Sequence, residues 1–194
     1  MLIICMYLIW YVQSGLKYAA PHFHANFAMY IDGERVDFSL DRYSQDVAGC
    51  KVGEKIYAKD RAHLHENNPD TIHIHDDGVT WWHFFANNNI LFNENKLIMD
   101  DGKIYVNNEK NELRFILNGD PVKDPFNILI NSKDRLLVNY GEESEDDLVL
   151  GKFQDVSTNA EEYNGKYDPW TCSGTNENSK ISLIKDLLHG FMGH

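Results

Sequence analysis

The chain has 194 residues, which suits one domain with appendages or two small domains and is long enough for a hydrophobic core. Its hydrophobic and charged fractions, 43% and 25%, are those of an ordinary folded protein. The formal net charge of −12 disfavours nucleic acid or an anionic membrane surface as a partner and favours cations. We therefore expect no nucleic-acid partner.

The first twelve residues are continuously apolar, and the first charged residue is Lys17. A helix over residues 1–16 would span about 24 Å, less than the hydrocarbon core of roughly 30 Å. A cleaved signal peptide would need a basic start and a small-residue cleavage site, which this segment lacks. We expect residues 1–20 to form an uncleaved signal anchor or membrane segment, with the rest of the protein extracytoplasmic, either membrane-anchored or secreted. A buried N-terminal strand or helix is the alternative.

Turn signals between apolar runs predict a series of strands. Residues 26–40 read as a hairpin, because apolar residues alternate on either side of Asp32–Gly33. The turn sequences Asp100–Gly102 and Asn118–Gly119 predict two further hairpins, and a last strand is expected to end at Gly141.

A short helix is predicted over residues 80–88, with Thr80 as its N-cap and an aromatic face that precedes three asparagines. After the last strand, an acidic run marks a boundary. Apolar residues at helical spacing over 181–191 then predict a C-terminal helix that packs on the sheet. A membrane-lying or partner-binding helix is the alternative for that segment.

The order of these elements over residues 24–141 resembles the β-grasp fold of ubiquitin-like and sulfur-carrier proteins. The resemblance implies an α+β fold with a β-grasp-like mixed sheet and one short helix, and residues 40–75 would be a His-rich insertion. It does not imply carrier function. We divide the chain into the anchor at 1–20, the His-rich domain at 21–141, and an acidic linker with a C-terminal helical extension, packing on the domain, at 142–194.

Three His-x-His pairs stand out among the nine histidines: His22 and His24, His63 and His65, and His73 and His75. A random distribution would give roughly 0.4 such pairs. On a strand, residues i and i+2 share a face and lie about 6 to 7 Å apart. Turn residues separate the second and third pairs, which places them on a hairpin. We predict that the six imidazoles form a metal site in which some subset of them binds the ion; a proton-sensing cluster and structural hydrogen bonding are the alternatives.

Nitrogen ligands favour Zn, Cu, Ni or Fe over Ca or Mg, and zinc or copper is our first choice for an exported protein. Glu66, Asp76 and Asp77 are candidates to orient the imidazoles or to complete a two-histidine, one-carboxylate site. Alternatively, they are ordinary acidic residues of turns and of helix N-termini, with no role in metal binding. His83, among the aromatic residues of the predicted helix, is a weaker candidate ligand.

Cys50 and Cys172 are the candidate disulfide, since Cys5 lies in the apolar segment. A bridge between them would close a loop of more than 100 residues. The loss of chain entropy in the unfolded state would then stabilise the fold by about 5 kcal/mol. The spacing does not show that the two thiols meet. The absence of a Cys-x-x-Cys motif leaves dithiol redox catalysis without support.

Two longer stretches, HFHANFAMYIDGERVDFS and HLHENNPDTIHIHDDGVTWWHFF, together with the LNG and DRLLVNYG strands, are similar to a functionally uncharacterised group of exported bacterial and archaeal proteins. The similarity covers most of residues 22–141. It implies family membership, export and a shared histidine site, and adds no reaction.

Three functions remain open at this stage. The first is an exported, membrane-tethered metal-binding domain for metal capture, buffering or structure. The second is a metal-dependent enzyme with a three-histidine site and a carboxylate base such as Asp76 or Glu66. The third is a surface assembly protein, a homo-oligomer linked by metal or by pH. The number of converging ligands separates them, because an open three-ligand site favours chemistry and a closed site favours binding.

Overall fold

Residues 21–45 and 58–166, together with Met6, are described by the computed structural model of the protein. Four predicted features lie outside these residues: the N-terminal anchor apart from Met6, Cys50, Cys172 and the C-terminal helix over 181–191. All three histidine pairs lie inside them.

Short helices interrupt a succession of strands. In chain order the elements are β1 (Phe23–Ile31), β2 (Glu34–Arg35), α1 (Ala58–Arg61), β3 (Ala62–His63), β4 (Thr71–Ile74), α2 (Trp81–Asn87), β5 (Leu91–Asn93), β6 (Lys96–Ile98), β7 (Ile104–Val106), β8 (Glu112–Leu117), β9 (Asp120–Val122), β10 (Arg135–Gly141), α3 (Glu145–Leu150), a 3-10 helix (Lys152–Asp155) and α4 (Ala160–Gly165). Within the described ranges, no helix is both long and apolar enough to cross a membrane.

The main sheet has seven strands, in the order β3-β4-β1-β10-β8-β9, with β2 paired to the end of β1. β1 and β10 are parallel, with Asn26 opposite Arg135 and Ile31 opposite Tyr140, and the other neighbours are antiparallel. A smaller sheet contains β5, β6 and β7. The predicted α+β class with a mixed sheet is therefore confirmed.

The predicted hairpin turns are confirmed by the backbone. Asp32 and Gly33, between β1 and β2, have φ angles of 50° and 87°, and Asn118 and Gly119, between β8 and β9, have φ angles of 55° and 95°. Positive φ at both central residues is the geometry of a type I′ turn, which suits Asp-Gly and Asn-Gly. Gly102 has a φ of 84° between β6 and β7.

The second strand of the first hairpin is shorter than residues 26–40 suggest, and β4 explains why. β4 occupies the same edge of β1 from Phe23, opposite Ile74, to Asn26, opposite Thr71. Only the far end of β1 is left for β2. The His-rich segment at 40–75 therefore contributes β3 and β4 to the main sheet.

The two faces of β1 pack against different layers. On one face Phe27 is fully buried, and its ring centroid lies 4.8 Å from that of Phe38 and 4.9 Å from that of Phe84 on α2. On the other face Ala28 and Tyr30 belong to a second cluster that includes apolar residues of α3 and the 3-10 helix. This second face continues to the start of β1, where the first histidine pair lies.

Candidate metal centre

Strand register brings the three histidine pairs onto one face of the sheet. β4 lies between β3 and β1, and His73 on β4 is opposite both His24 on β1 and His63 on β3. His22, His65 and His75 lie just outside the bounds of these strands. The ring centroids of each pair are 4.4 to 6.3 Å apart, which keeps both histidines of a pair on the same side of the sheet. That face is the one that carries Ala28 and Tyr30 on β1.

The six histidines form two groups of three. The first triad is His22, His24 and His73, and the second triad is His63, His65 and His75. In each triad, every residue offers a ring nitrogen, and the three nitrogens lie within 4.8 Å of one another. Both triads thus combine the pair of an outer strand with one histidine of the central strand β4.

One pair of nitrogens in each triad is already near the spacing of a metal site. Nε2 of His24 lies 3.1 Å from Nδ1 of His73, and Nε2 of His63 lies 2.7 Å from Nε2 of His65. Zinc binds imidazole nitrogen at about 2.05 Å, which puts two nitrogens of a tetrahedral site roughly 3.3 Å apart. One nitrogen pair in each triad is therefore close to this spacing, and the ligand nitrogens of all three residues lie within 4.8 Å of one another.

The two triads touch each other. The rings of His22 and His75 are stacked, with centroids 4.7 Å apart and planes 13° apart. The rings of His65 and His73 meet edge to face, with centroids 4.2 Å apart. The triads are therefore neighbouring halves of one histidine cluster.

Burial keeps three of these imidazoles neutral. Burial, with a smaller contribution from neighbouring imidazoles, lowers the pKa of His65 to about 3 and the pKa of His75 to about 2. The pKa of His73 is lowered for the same reasons. Neutral imidazole is the form that binds a metal, so these three rings are in the required state at neutral pH.

Hydrogen bonds from outside the cluster fix the orientation of one histidine in each triad. Nδ1–H of His63 donates to the backbone oxygen of Lys59 at 2.7 Å, which leaves the Nε2 lone pair directed at His65. Nδ1 of His24 donates to Oδ1 of Asn164 at 2.7 Å, which leaves its Nε2 lone pair directed at His73. Metal-binding histidines commonly donate their other N–H to a carbonyl in this way.

The buried ring of His75 is not stabilised by any hydrogen bond to the described residues. Only 6% of its surface is exposed, and both ring nitrogens are buried with no hydrogen-bond partner among the described residues. Leaving a buried polar group unpaired costs about 1 to 3 kcal/mol. A cation bound by the second triad would give one of these nitrogens a partner.

Helix α4 covers the first triad. The ring of Tyr163 lies 5.6 Å from that of His24 and 6.2 Å from that of His73, centroid to centroid. Its hydroxyl accepts a hydrogen bond from Nδ2 of Asn68 at 3.0 Å. Just before the helix, Oδ1 of Asn159 accepts a hydrogen bond from Asn26, so the helix start is tied to the histidine face of β1.

The remaining candidate residues lie elsewhere. His83 belongs to the capping box of α2, where its Nδ1 accepts from the backbone nitrogen of Thr80 at 3.0 Å. Thr80 is the N-cap, as predicted. Oδ2 of Asp76 accepts from Nε of Arg61 at 2.6 Å, and the backbone oxygen of Asp77 accepts from the same guanidinium. Glu66 is an exposed turn residue with a φ of 52°. None of these four residues belongs to either triad.

Asn159, Tyr163 and Asn164 were not candidates from the sequence. They lie in a polar segment without a motif, and Asn164 is 140 positions from the histidine that it contacts. The role of His83 does have a local signal. Its position three residues after the N-cap Thr80 is that of a capping-box residue, which separates it from the histidines of the cluster.

Comparison of the chain with family models found no match, and comparisons with curated proteins and with solved structures found none either. The function is therefore inferred from the two triads themselves.

Proposed function

We propose that this domain binds a transition-metal ion through its clustered histidines, with zinc or copper as the first choice. The observation that carries the proposal is the grouping of buried imidazole nitrogens in threes, within 4.8 Å, on neighbouring strands. A cluster held by hydrogen bonds alone would have to satisfy His75, whose ring nitrogens have no partner in the described residues.

The donor set supports a borderline or soft cation. Both triads offer nitrogen only, whereas calcium and magnesium require oxygen ligands. Neutral imidazole suits zinc, copper, nickel and iron. With no net ligand charge, the triads would hold the cation by coordination bonds inside an acidic protein whose formal net charge is −12.

Three ligands per triad leave a coordination position that catalysis could use. Burial and the lack of a neighbouring carboxylate base among the described residues nevertheless support capture, buffering or structural use of the metal better than catalysis. In the described ranges no carboxylate joins either triad, and Asp76, a candidate base, is engaged by Arg61. Five of the six histidines are buried, with at most 7% of their surface exposed, and α4 lies over the first triad. The six imidazoles also meet within one chain, so a second copy is not needed to assemble three ligands.

Two further properties go with this proposal. We infer that the domain is exported and tethered by residues 1–20, which the uncharged apolar start of the chain supports. Fractionation of cells expressing the full chain should recover it with membranes, and release by buffer alone would contradict the tether. We also infer a β-grasp-like arrangement of the main sheet, which the parallel pairing of β1 and β10 supports.

The metal proposal is tested by metal analysis of the full chain purified without an affinity His-tag. We expect stoichiometric zinc or copper in the wild-type protein and its loss in the double variant His73→Ala/His75→Ala, because each substitution removes a ligand from one triad. The matched control is His83→Gln, which removes an imidazole outside the triads and keeps a capping-box residue. Unchanged metal in a folded double variant would refute the assignment.

A further inference from the structure

We propose that the histidine cluster holds two cations, one in each triad, rather than a single ion. This inference rests on the proposed function and specifies its stoichiometry and its ligand sets.

Six imidazoles are more than one ion of the expected kind can use. Zinc sites in proteins are almost always four-coordinate. One ion in the cluster would leave at least two imidazoles that are mostly buried and not coordinated. An ion in the first triad would leave both buried nitrogens of His75 as they are, with no hydrogen-bond partner among the described residues. An ion in the second triad supplies that partner.

Two short nitrogen contacts each lie within a single triad. The 3.1 Å contact joins His24 and His73 of the first triad, and the 2.7 Å contact joins His63 and His65 of the second. The two contacts have no residue in common. Each triad therefore contains its own pair of nitrogens at metal-binding distance.

Each half also has its own outer hydrogen bond. Asn164 orients His24 of the first triad, and the backbone oxygen of Lys59 orients His63 of the second. Both bonds are 2.7 Å long, and both engage Nδ1 so that Nε2 is directed into the triad. A single metal site would require an orienting hydrogen bond only on the histidines that bind its one ion. The structure instead provides one orienting hydrogen bond in each triad.

Strand β4 explains how one sheet builds two sites. His73 lies on this strand and His75 directly follows its last residue. Their ring centroids are 6.3 Å apart, and each completes a different triad. The outer pairs approach from opposite sides, since β1 and β3 are both neighbours of β4. In the proposed arrangement, His73 therefore binds one ion and His75 binds the other.

Two consequences follow from placing two divalent cations among neutral ligands. Each triad supplies three nitrogens, so each ion keeps a position for water, hydroxide or another small anion. The ions repel each other, because the imidazoles contribute no compensating charge. We therefore expect the second ion to bind more weakly than the first.

The test is a zinc titration of the full, untagged chain by calorimetry, with metal content measured after gel filtration. The expected result is two zinc ions per wild-type chain, bound in two steps. His22→Ala/His24→Ala and His63→Ala/His65→Ala should each retain one ion, which would also show that each variant folds. Controls are His83→Gln and His189→Ala/His194→Ala, which should both retain two.

Three other outcomes overturn the inference. One zinc ion per wild-type chain, lost completely on disruption of either triad, would mean a single shared site and would leave the proposed function intact. Two ions of which one disappears in His189→Ala/His194→Ala would place a site outside the triads. No bound zinc in the wild-type chain, with no bound copper either, would refute the proposed function itself.

Electron paramagnetic resonance of the copper(II)-loaded protein is a second test. The spectrum should show two magnetically coupled copper ions; two uncoupled signals would contradict neighbouring triads.

Discussion

Asn164 holds His24 at two points with a single oxygen. Oδ1 of Asn164 accepts a hydrogen bond from the backbone nitrogen of His24 at 2.9 Å and another from its ring Nδ1 at 2.7 Å. The amide nitrogen of Asn164 donates to Oγ of Ser132 at 2.9 Å. A residue of α4 therefore sets both the position and the ring orientation of a metal-ligand candidate on β1.

Substitution of Asn164 should weaken metal binding without removing a ligand. We expect Asn164→Ala to lower zinc affinity by about 10- to 100-fold, because an unoriented His24 must be ordered on binding. Isothermal titration calorimetry measures the change.

Two variants separate orientation from general damage to α4. Asn164→Asp keeps the oxygen that accepts from His24 and should restore most of the affinity. Ser132→Ala removes only the other partner of the amide and should change affinity by less than about threefold. Equal zinc affinity in Asn164→Ala and the wild-type chain would show that this contact does not orient a ligand.

The metal-free protein should lose stability as the pH falls below about 6.5. The unfolded state binds protons at its histidines near that pH, whereas the folded state keeps His65 and His75 neutral until about pH 3 and about pH 2. Stability is therefore fully present above pH 6.5 and declines on acidification, by about 1.4 kcal/mol per pH unit for each such histidine.

Urea unfolding in the presence of a chelator, between pH 7.5 and pH 5, measures this loss. That window lies above the pKa of ordinary carboxyl groups, so histidine titration dominates it. His75→Phe should reduce the slope, since it removes one buried titrating group. A free energy of unfolding that is constant across the window would contradict the neutral, buried state of the cluster.

The face of β1 opposite the histidines carries the main core. Phe27→Ala should lower the free energy of unfolding by about 3 to 5 kcal/mol, because it empties a site between Phe38 and Phe84. Trp82→Ala is the matched aromatic control: its side chain is 37% exposed, and the loss should be clearly smaller. Urea unfolding of both variants decides this, and equal losses would contradict the assignment of the core face.

His83 should affect stability and leave metal binding unchanged. His83→Ala removes the acceptor of the Thr80 backbone N–H and should cost about 1 kcal/mol, whereas His83→Gln should cost less. Thermal unfolding measures the difference, and zinc titration of both variants should match the wild type. A lower zinc stoichiometry in either variant would place His83 in the metal centre.

Local signals in the sequence were sufficient for some of these features. Asp32–Gly33 and Asn118–Gly119 need positive φ angles, which are a property of the turn itself. Thr80 caps a helix through bonds that span three residues. The placement of two histidines of a pair on one face also follows from strand geometry alone.

The division of the pairs into triads could not be predicted from the sequence. It depends on β4 lying between β1 and β3, and strand order is a long-range property. The sequence pattern suggests that both histidines of a pair bind the same ion. The pair at the end of β4 is divided instead, with His73 in one triad and His75 in the other. The role of Asn164 is equally non-local, because nothing near His24 in sequence indicates a partner on α4.

X-ray absorption spectroscopy at the zinc edge tests the central claim most directly. The zinc-loaded, untagged chain should show nitrogen or oxygen ligands at about 2.0 to 2.1 Å, with multiple scattering from about three imidazoles per ion and no sulfur. Sulfur scattering at about 2.3 Å, or a first shell with fewer than two imidazoles, would contradict metal binding by the histidine triads.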